Sequence, residues 1–445
     1  MNRLSCWSTC LAFLILASRS SSALLSSKEC TDDCPLLVHA YASSPIYTDI
    51  DSFTITTSIT NLSPHTIKLL DDPRTVISSW ATQSFKITKG THRTYHSSSL
   101  SSPGISPLFR GVAVRFLPSS VLHSVNCPTV ILAPRETVEV VHEVGKYYDF
   151  SQSGPGEYTF APSDRFFKVV APGFTAEPLR AKVIPALVFL PAGELRSYKP
   201  LSAWSLGGPR LSLPFLRDAS TPFTKLDASE SDAAPPPNQL DSRAAPSRPI
   251  PPSYATSSPN VNANANAGSS TTCSPSQLMQ IKSAMRAGAD LARKSADHLK
   301  VHRKGSDLQT TWYGSFSSDA HKNTLTAFNT LRDLFSVALS SSNFGGGKGP
   351  GPEFDCTTCT SPHTYAYVYP SQFPKIFICG LFWDSPATGP GSRADTLIHE
   401  GTHFDEVLGT RDTVYGEERC IDLARTDPGE AVWNADNHAF FSVNV

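Results

Sequence analysis

The chain has 445 residues, of which 40% are hydrophobic and 17% are charged, and its formal net charge at pH 7 is -1. This length suggests more than one domain, and this hydrophobic content excludes a chain that is disordered throughout. A near-neutral charge without a block of lysine or arginine argues against a nucleic-acid-binding protein.

The first residues have the pattern of a secretory signal peptide. A single Arg3 precedes an apolar stretch around Cys10 to Ala17, and small residues continue to Ala23. The apolar stretch is far shorter than the roughly 20 residues that a membrane-spanning helix needs. We therefore expect a signal peptide at 1–23, export of the mature chain and no association with a membrane.

Short runs of alternating apolar and polar residues follow, separated by Gly, Pro, Asn and Ser. One of them, SFTITTSIT, places Phe53, Ile55 and Ile59 on one side. Strands of period two at such spacing predict an antiparallel β-sandwich of roughly immunoglobulin-like size. We assign this domain to residues 24–201 and find no concentration of catalytic residues in it.

Residues 202–272 are rich in Pro, Ser, Ala and Asn, as in DAAPPPNQLDSRAAPSRPIPPSYATSSPNVNANANAGSS. Such a segment cannot bury enough apolar surface to offset its conformational entropy, so we expect an extended, protease-accessible linker. Arg243 and Arg248 lie within it and are candidate processing points.

From residue 273 onward the pattern becomes helical and then mixed. Ser274 is a plausible N-cap with Pro275 at the first helical position, and apolar residues recur at helical spacing in two segments. Two strand-like runs, TYAYVYP and KIFICGLFW, come next. Residues 273–445 are therefore predicted to form an α+β domain.

The stretch HEGTH contains the pattern HExxH at His399, Glu400 and His403. On a helix, histidines four residues apart share one face, so both imidazoles can reach one zinc ion at about 2.0–2.1 Å. Glu400 is then placed beside the metal as a general base instead of a ligand. Because HExxH also occurs on plain surface helices, a third ligand is the discriminating feature.

The continuation GTRDTVYG supplies a candidate for that ligand. Asp412 lies nine residues after His403. Gly409 allows the chain to turn back from the helix, so that the carboxylate can approach the same ion. Tyr415 can then direct its phenol at the oxyanion that develops during hydrolysis.

Residues 273–445 resemble the aspzincin metallopeptidases, which comprise the deuterolysins and the peptidyl-Lys metalloendopeptidases. The resemblance is closest to the peptidyl-Lys branch and is carried by TTWYGSF, FDCTTCT, TYAYVYP, ICGLFW, HEGTHF, GTRDTVYG and AVWNADNHAFF. It implies a zincin-like catalytic domain with a Zn²⁺ cofactor. It also implies that His399, His403 and Asp412 bind the zinc ion. Glu400 is then the general base, and Tyr415 stabilises the oxyanion.

The N-terminal region is similar to the pro-region of such enzymes, particularly in FRGVAVRF, ILAPRETVEVVHEV and SGPGEYTF. This similarity implies a zymogen in which the sandwich assists folding or covers the cleft in cis until the linker is cut.

The same resemblance implies two disulfide bonds, Cys273–Cys356 and Cys359–Cys379, although CTTC has one residue more than the family usually has there. In an exported chain, cysteines are most simply interpreted as disulfide-bonded. Cys420 then lacks a partner within residues 273–445, and a loop between Cys30 and Cys34 would leave Cys127 without one. A bridge between Cys127 and Cys420, Cys127 as an inhibitory zinc thiolate, and simple burial of each thiol all remain open.

In the peptidyl-Lys enzymes the helix that matches NADNHAFF supplies two acids, three residues apart, that bind the lysine ammonium after the scissile bond. Here the first acid corresponds to Asp436, but the second position is Ala439. A pocket with one carboxylate predicts a preference for Lys, or for Arg, that is looser than in enzymes with both acids. The simpler alternative is that Asp436 is a solvated helix residue.

These features predict a secreted, monomeric zinc endopeptidase made as a proenzyme, with protein or peptide substrates and a preference for Lys on the carboxyl side of the scissile bond. One alternative is a deuterolysin-like peptidase of broader specificity. The other is a secreted binding module in which the zinc site is structural.

Overall fold

The computed structural model describes residues 34–90, 106–122, 127–170, 175–197, 210–211, 273–340 and 351–445. The expected signal peptide, its cleavage point and nearly all of the expected linker, with Arg243 and Arg248, lie outside these residues. No helix among the described residues is long and apolar enough to cross a membrane.

Strands make up most of the described N-terminal part: β1 (Leu36–Ala42), β2 (Ile55–Asn61), β3 (Ile67–Leu70), β4 (Phe85–Lys89), β5 (Leu108–Phe109), β6 (Ala113–Arg115), β7 (Thr129–Leu132), β8 (Thr137–His142), β9 (Tyr148–Asp149), β10 (Gly156–Pro162), β11 (Arg165–Val170), β12 (Thr175–Ile184), β13 (Ala186–Leu190) and β14 (Arg210–Leu211). Two short helices interrupt them, α1 (Pro118–Leu122) and α2 (Val144–Tyr147). The prediction of a strand-rich N-terminal region is confirmed.

An eight-stranded sheet in the order β14-β8-β2-β1-β12-β11-β3-β7, a three-stranded sheet in the order β13-β10-β4 and a two-stranded sheet of β5 and β9 form most of this part. Along β2 every second residue is buried, which is the expected alternation. Phe53, Ile55 and Ile59 all lie in the hydrophobic core, as the pattern predicts. The sheet is not wholly antiparallel, because β1 pairs with β12 in parallel.

Helices dominate the C-terminal part: α3 (Pro275–Val301), α4 (Asp307–Tyr313), α5 (Ser318–Ser340), α6 (Gly380–Asp384), α7 (Arg393–His403), α8 (Glu417–Thr426), α9 (Pro428–Val432) and α10 (Ala435–Val443). Its strands are β15 (Glu353–Asp355), β16 (Ala366–Val368) and β17 (Lys375–Ile378). Helix α3 begins with a capping box between Ser274 and Gln277, with proline at the first helical position. The predicted α+β character is therefore confirmed.

Helix α7 lies in the middle of this part, in contact with α3, α5 and α10. Ile281 and Met285 of α3 and Leu331 of α5 belong to the same buried cluster as Leu397 and Ile398 of α7. A helix surrounded in this way is held in one position, so the side chains that it carries are positioned by the core and not by a loop.

Disulfide bonds join Cys273 to Cys356 and Cys359 to Cys379, the pairs that the family resemblance implies. Cys127 and Cys420 are both free thiols, so the alternative of a bridge between them is wrong. Cys420 is fully buried, and burial raises its pKa well above the usual range.

One short strand crosses from the N-terminal part to the C-terminal part. The sheet of the C-terminal part has the order β15-β17-β16-β6, and its edge strand β6 comes from residues 113–115. Strand β6 pairs with β16 in antiparallel register, with Val114 opposite Tyr367. A strand that leaves its own domain to complete another sheet was not expected from the sequence.

Gly401 lets α7 approach α5 closely, and we expect Gly401→Ala to be destabilising. An added Cβ would overlap Leu331 Cδ2, and Leu331 is fully buried, so it has little space to move. Overpacking of this kind costs about 1–3 kcal/mol, which exceeds the gain in helix propensity of about 1 kcal/mol. Thermal unfolding of the zinc-loaded chain is the measurement.

The control is Gly288→Ala on α3, where the added Cβ would lie 3.3 Å from the Phe335 ring and meets no backbone within that distance. This variant should be close to wild type in stability. If Gly401→Ala were as stable as Gly288→Ala, the close approach of α7 to α5 would not constrain the position of the site.

Candidate metal centre

Helix α7 presents the HExxH side chains in the interior. Ser392 caps the helix by accepting a hydrogen bond from the Asp395 N–H at 3.1 Å. His399, Glu400 and His403 are all 0% exposed. The two imidazole rings lie one helical turn apart in an edge-to-face arrangement, with their centroids 4.7 Å apart.

The chain turns back after α7 as predicted. Gly409 has a φ of 68°, the left-handed conformation that glycine adopts without strain. The carbonyl of Thr410 then lies 2.9 Å from His403 Nδ1 and accepts its hydrogen bond. The turn ends with Asp412 Oδ1 3.1 Å from His399 Nε2 and 3.4 Å from His403 Nε2.

The three side chains fit a zinc ion. The two Nε2 atoms are 3.1 Å apart, and the ligand atoms of His399, His403 and Asp412 all lie within 4.8 Å of one another. Ligand atoms at about 2.0–2.1 Å from a tetrahedral zinc are about 3.3 Å apart, which matches these separations. Two nitrogens and one carboxylate oxygen are also donors that Zn²⁺ accepts.

Asp436 contacts His399 on the ring nitrogen that faces away from the proposed metal position. Its Oδ1 lies 2.8 Å from His399 Nδ1, and its Oδ2 accepts the Gly416 N–H at 2.8 Å. A carboxylate that binds the far nitrogen of a metal-ligating histidine fixes the ring and its tautomer. Asp436 is 0% exposed, so the alternative of a solvated helix residue is wrong.

Strand β6 runs directly past this centre. The Val114 N–H donates to Asp412 Oδ2 at 2.8 Å, and the Tyr415 hydroxyl donates to the Val114 carbonyl. The Arg115 N–H donates to Glu400 Oε1 at 3.0 Å. The peptide bond between Val114 and Arg115 therefore lies between the tyrosine and the glutamate that the sequence singled out.

The side chain of Arg115 enters a buried pocket. Its Nη2 donates to Asp395 Oδ2 at 2.6 Å, its Nη1 contacts Asp436 Oδ1, and Nη1 also lies 2.8 Å from His399 Nδ1. The guanidinium and both carboxylates are 0% exposed. The sequence predicted one carboxylate here, and the structure brings together two.

Asp395 is the functional candidate that the sequence analysis missed. It lies four residues before His399 on α7, so both point to the same face of that helix. This spacing was visible in the sequence, but nothing there indicated that Asp436 of α10 would lie beside it. Ala439, where the second acid was sought, is fully buried on α10.

Burial and neighbouring charges set the protonation of the centre. Burial, and then Arg115, lower the pKa of His399 well below its usual range. Burial would raise the pKa of Asp412, but His403 and His399 hold it far below its usual range. A neutral His399 and an ionised Asp412 are the forms that bind a metal ion.

Burial also shifts the pKa values of Glu400 and Tyr415. Burial raises the pKa of Glu400 to about 8. Its Oε2 is buried and makes no hydrogen bond within the part of the chain that the structure describes. Burial also raises the pKa of Tyr415 well above its usual range, which keeps the phenol protonated as a donor.

Comparisons with known proteins agree with this geometry. A family model described as lysine-specific metallo-endopeptidase, Aspzincin_M35, matches residues 298–443. A peptidyl-Lys metalloendopeptidase of Armillaria mellea is 30% identical over 89% of this chain and 88% of that protein, and one of Grifola frondosa is 29% identical over 89% of each. An extracellular protease of Aeromonas hydrophila is 34% identical over 39% of this chain and 46% of that protein.

The geometry predicts different metal contents for two variants of neighbouring residues. Asp412→Ala should weaken zinc binding by more than about 100-fold, because a carboxylate ligand is lost. Glu400→Gln should bind zinc as the wild type does, because Glu400 lies beside the donor atoms and supplies none of them. Zinc content after dialysis against a graded series of chelator concentrations is the measurement. Equal zinc affinity of Asp412→Ala and wild type would remove Asp412 from the ligand set.

Proposed function

The chain belongs to the aspzincin family of zinc metallopeptidases, and we propose that it is a secreted proenzyme that cleaves peptide bonds with a preference for a basic residue, Lys, on the carboxyl side of the scissile bond. The family model and the relatives show that it is a zinc metalloendopeptidase, whose substrates are proteins or peptides. We further propose which residues carry out the hydrolysis, which subsite binds the residue after the cut, that the chain is exported and that its precursor is inhibited. Its main support is the Val114–Arg115 peptide bond, which lies between Tyr415 and Glu400 as a substrate bond would.

We assign His399, His403 and Asp412 as the residues that hold zinc, which when bound polarises the scissile carbonyl and lowers the pKa of a nearby water. Only these three His, Cys, Asp or Glu residues form such a group among the described residues. A catalytic zinc site keeps a fourth position open, whereas a structural site is closed by four protein ligands. The donor set therefore favours a peptidase over a binding module with a structural zinc.

We assign Glu400 as the general base and then the general acid of the reaction. Its Oε2 lacks a partner in the described structure and is available to accept a proton from water. Its Oε1 already accepts the N–H of the residue after the bond, so the same carboxyl group can return the proton to the leaving nitrogen. A pKa raised to about 8 by burial suits a group that both accepts and donates a proton near neutral pH.

Tyr415 stabilises the negative charge that develops on the carbonyl oxygen. Its hydroxyl donates to the Val114 carbonyl in this structure. A hydrogen bond to that oxygen strengthens as the oxygen gains charge, so it contributes more to the transition state than to the bound substrate.

Strand β16 would align the substrate. Its pairing with β6 shows that an extended segment can add to this sheet in antiparallel register. The Tyr365 N–H also donates to the Arg115 carbonyl at 3.1 Å, which continues the contact beyond the scissile position. A substrate aligned in the same way would place its scissile bond where Val114–Arg115 now lies.

The position of β6 also supports a proenzyme. Because β6 lies against Asp412, Glu400 and Tyr415, a substrate cannot occupy those contacts at the same time. Arg74 of the N-terminal part adds a second cover, since its guanidinium carbon lies 4.1 Å from the centre of the Tyr415 ring. We propose that residues 24–201 are a pro-domain, that 202–272 are the linker cut on activation, and that 273–445 are the catalytic domain.

Export is proposed from the signal-peptide pattern at 1–23 and is supported by two disulfide bonds in the C-terminal part, which form in oxidising compartments. One relative is named an extracellular protease. Detection of the chain in the culture medium, with its N-terminus near residue 24, tests this part of the proposal.

Tyr415→Phe should lower kcat by about 10²–10³-fold with little change in KM, because the donor acts mainly in the transition state. Zinc content and thermal stability are measured in parallel to show that the site is intact. A kcat equal to that of the wild type would remove Tyr415 from the mechanism.

Arg115→Ala should make the intact chain more active, because the strand loses its buried ion pairs with Asp395 and Asp436 and leaves the cleft more often. We expect at least a tenfold rise, roughly, in hydrolysis of a peptide by the uncut chain. The matched control is Arg110→Ala, in the same segment but partly exposed, which should stay inhibited. Equal activity of wild-type chains before and after cleavage within 202–272 would show that the N-terminal part does not inhibit.

A further inference from the structure

We infer that an aromatic patch on the C-terminal sheet, formed by Tyr367, Tyr369 and Phe377, is a second subsite that binds apolar side chains before the scissile bond. The side chains concerned are those at the first and third positions before the cut. The inference rests on the peptidase function proposed above. It concerns the opposite side of the scissile bond from the pocket that Arg115 enters, and it selects for apolar surface instead of charge.

Strand β6 locates this subsite. The Val114 carbonyl accepts the Tyr415 hydroxyl, so Val114 occupies the first position before the bond. Successive side chains of a strand point to opposite faces of the sheet. The contacts follow this alternation, because Ala113 packs into the core around α7, whereas Val112 and Val114 belong to a separate apolar cluster. The first and third positions therefore share one face of the sheet.

The three rings of the aromatic patch belong to that separate cluster. Tyr367 and Phe377 are stacked, with their centroids 4.6 Å apart and their planes 3° apart. Tyr369 meets Tyr367 edge-on at 5.9 Å and Phe377 edge-on at 5.7 Å. Aromatic rings in these arrangements stabilise one another beyond the burial of their area. The C-terminal part thus supplies a preformed apolar surface beside the cleft.

The register of the sheet assigns one ring to each position. Val114 lies directly opposite Tyr367. In antiparallel pairing, the residue two places before Val114 lies opposite the residue two places after Tyr367, which puts Val112 opposite Tyr369. Side chains directly opposite each other on one face of such a pair interact. Tyr367 therefore covers the first position before the cut, and Tyr369 covers the third.

The N-terminal part covers the patch in the intact chain. Tyr367 is 1% exposed and Tyr369 is 6% exposed. The covering side chains are Val112, Val114 and Trp80, whose ring meets Tyr367 edge-on at 5.5 Å. A substrate that replaces β6 must cover the same rings with its own side chains. Apolar side chains there remove more apolar surface from water, whereas a hydroxyl loses its hydration.

A patch that only holds the N-terminal part makes a different prediction. In that case Tyr367→Ala and Tyr369→Ala loosen the cover, and the rates on all peptides change by the same factor. If the patch binds substrate, each variant changes the ratio between two peptides that differ at one position. Residual inhibition by the N-terminal part acts on every peptide alike, so it leaves these ratios unchanged.

The test uses the zinc-loaded full chain cut within 202–272, with both fragments present. A quenched fluorescent reference peptide contains Gly-Val-Ala-Val-Lys-Phe-Leu, which copies residues 111–117 with lysine in place of arginine. Two further peptides replace either the first or the second valine by threonine, which keeps the shape of the side chain and adds a hydroxyl. We expect each replacement to lower kcat/KM by about fivefold.

Each aromatic variant is the control for the other. Tyr367→Ala should reduce the ratio of valine to threonine at the first position to less than about twofold and keep the ratio at the third position. Tyr369→Ala should do the reverse. Zinc content and thermal unfolding show whether each variant is folded.

Equal kcat/KM for valine and threonine at either position in the wild type, or an equal change on all three peptides in both variants, would overturn the inference. A digest of denatured proteins by the wild-type enzyme, with the residues before each cut identified by mass spectrometry, tests it should a variant not fold. Valine must then exceed threonine at both positions after correction for abundance. Absence of any proteolysis would instead contradict the proposed function, so the two failures are distinguishable.

Discussion

The buried charge of Arg115 is the interaction on which the arrangement of the two parts depends. Moving an ion from water into a protein interior costs several kcal/mol, and only close, well-oriented partners return that free energy. The partners of Arg115 are Asp395 and Asp436, which are both fully buried. Because Asp436 also contacts His399, the same ion pair links the N-terminal part of the chain to the metal centre.

The edge of the C-terminal sheet fixes the position of β6 beside the metal centre. Without β6, strand β16 would be the edge strand of the C-terminal sheet and would leave backbone donors and acceptors unpaired. Strand β6 satisfies them in antiparallel register, and this register places one peptide bond between Glu400 and Tyr415. In the function proposed above, inhibition of the precursor and alignment of a substrate would use the same backbone ladder.

The relatives help to interpret the N-terminal part. The family model matches only 298–443, whereas the peptidyl-Lys metalloendopeptidases of Grifola frondosa and Armillaria mellea align with 89% of the chain. The similarity to those proteins therefore extends beyond the family-model match into the strand-rich region. Its contact with the metal centre gives a physical reason for the two regions to occur together in one chain.

Local physical chemistry explains what the sequence by itself determined. The four-residue spacing of His399 and His403 on a helix, and the left-handed turn at Gly409, depend on neighbours in the chain, so both were predictable. Only the tertiary structure decided that Asp395 would meet Asp436 and that β6 would lie in the cleft. These contacts join segments far apart in sequence, and their free energy comes from pairing buried charges and backbone groups that no local pattern reveals.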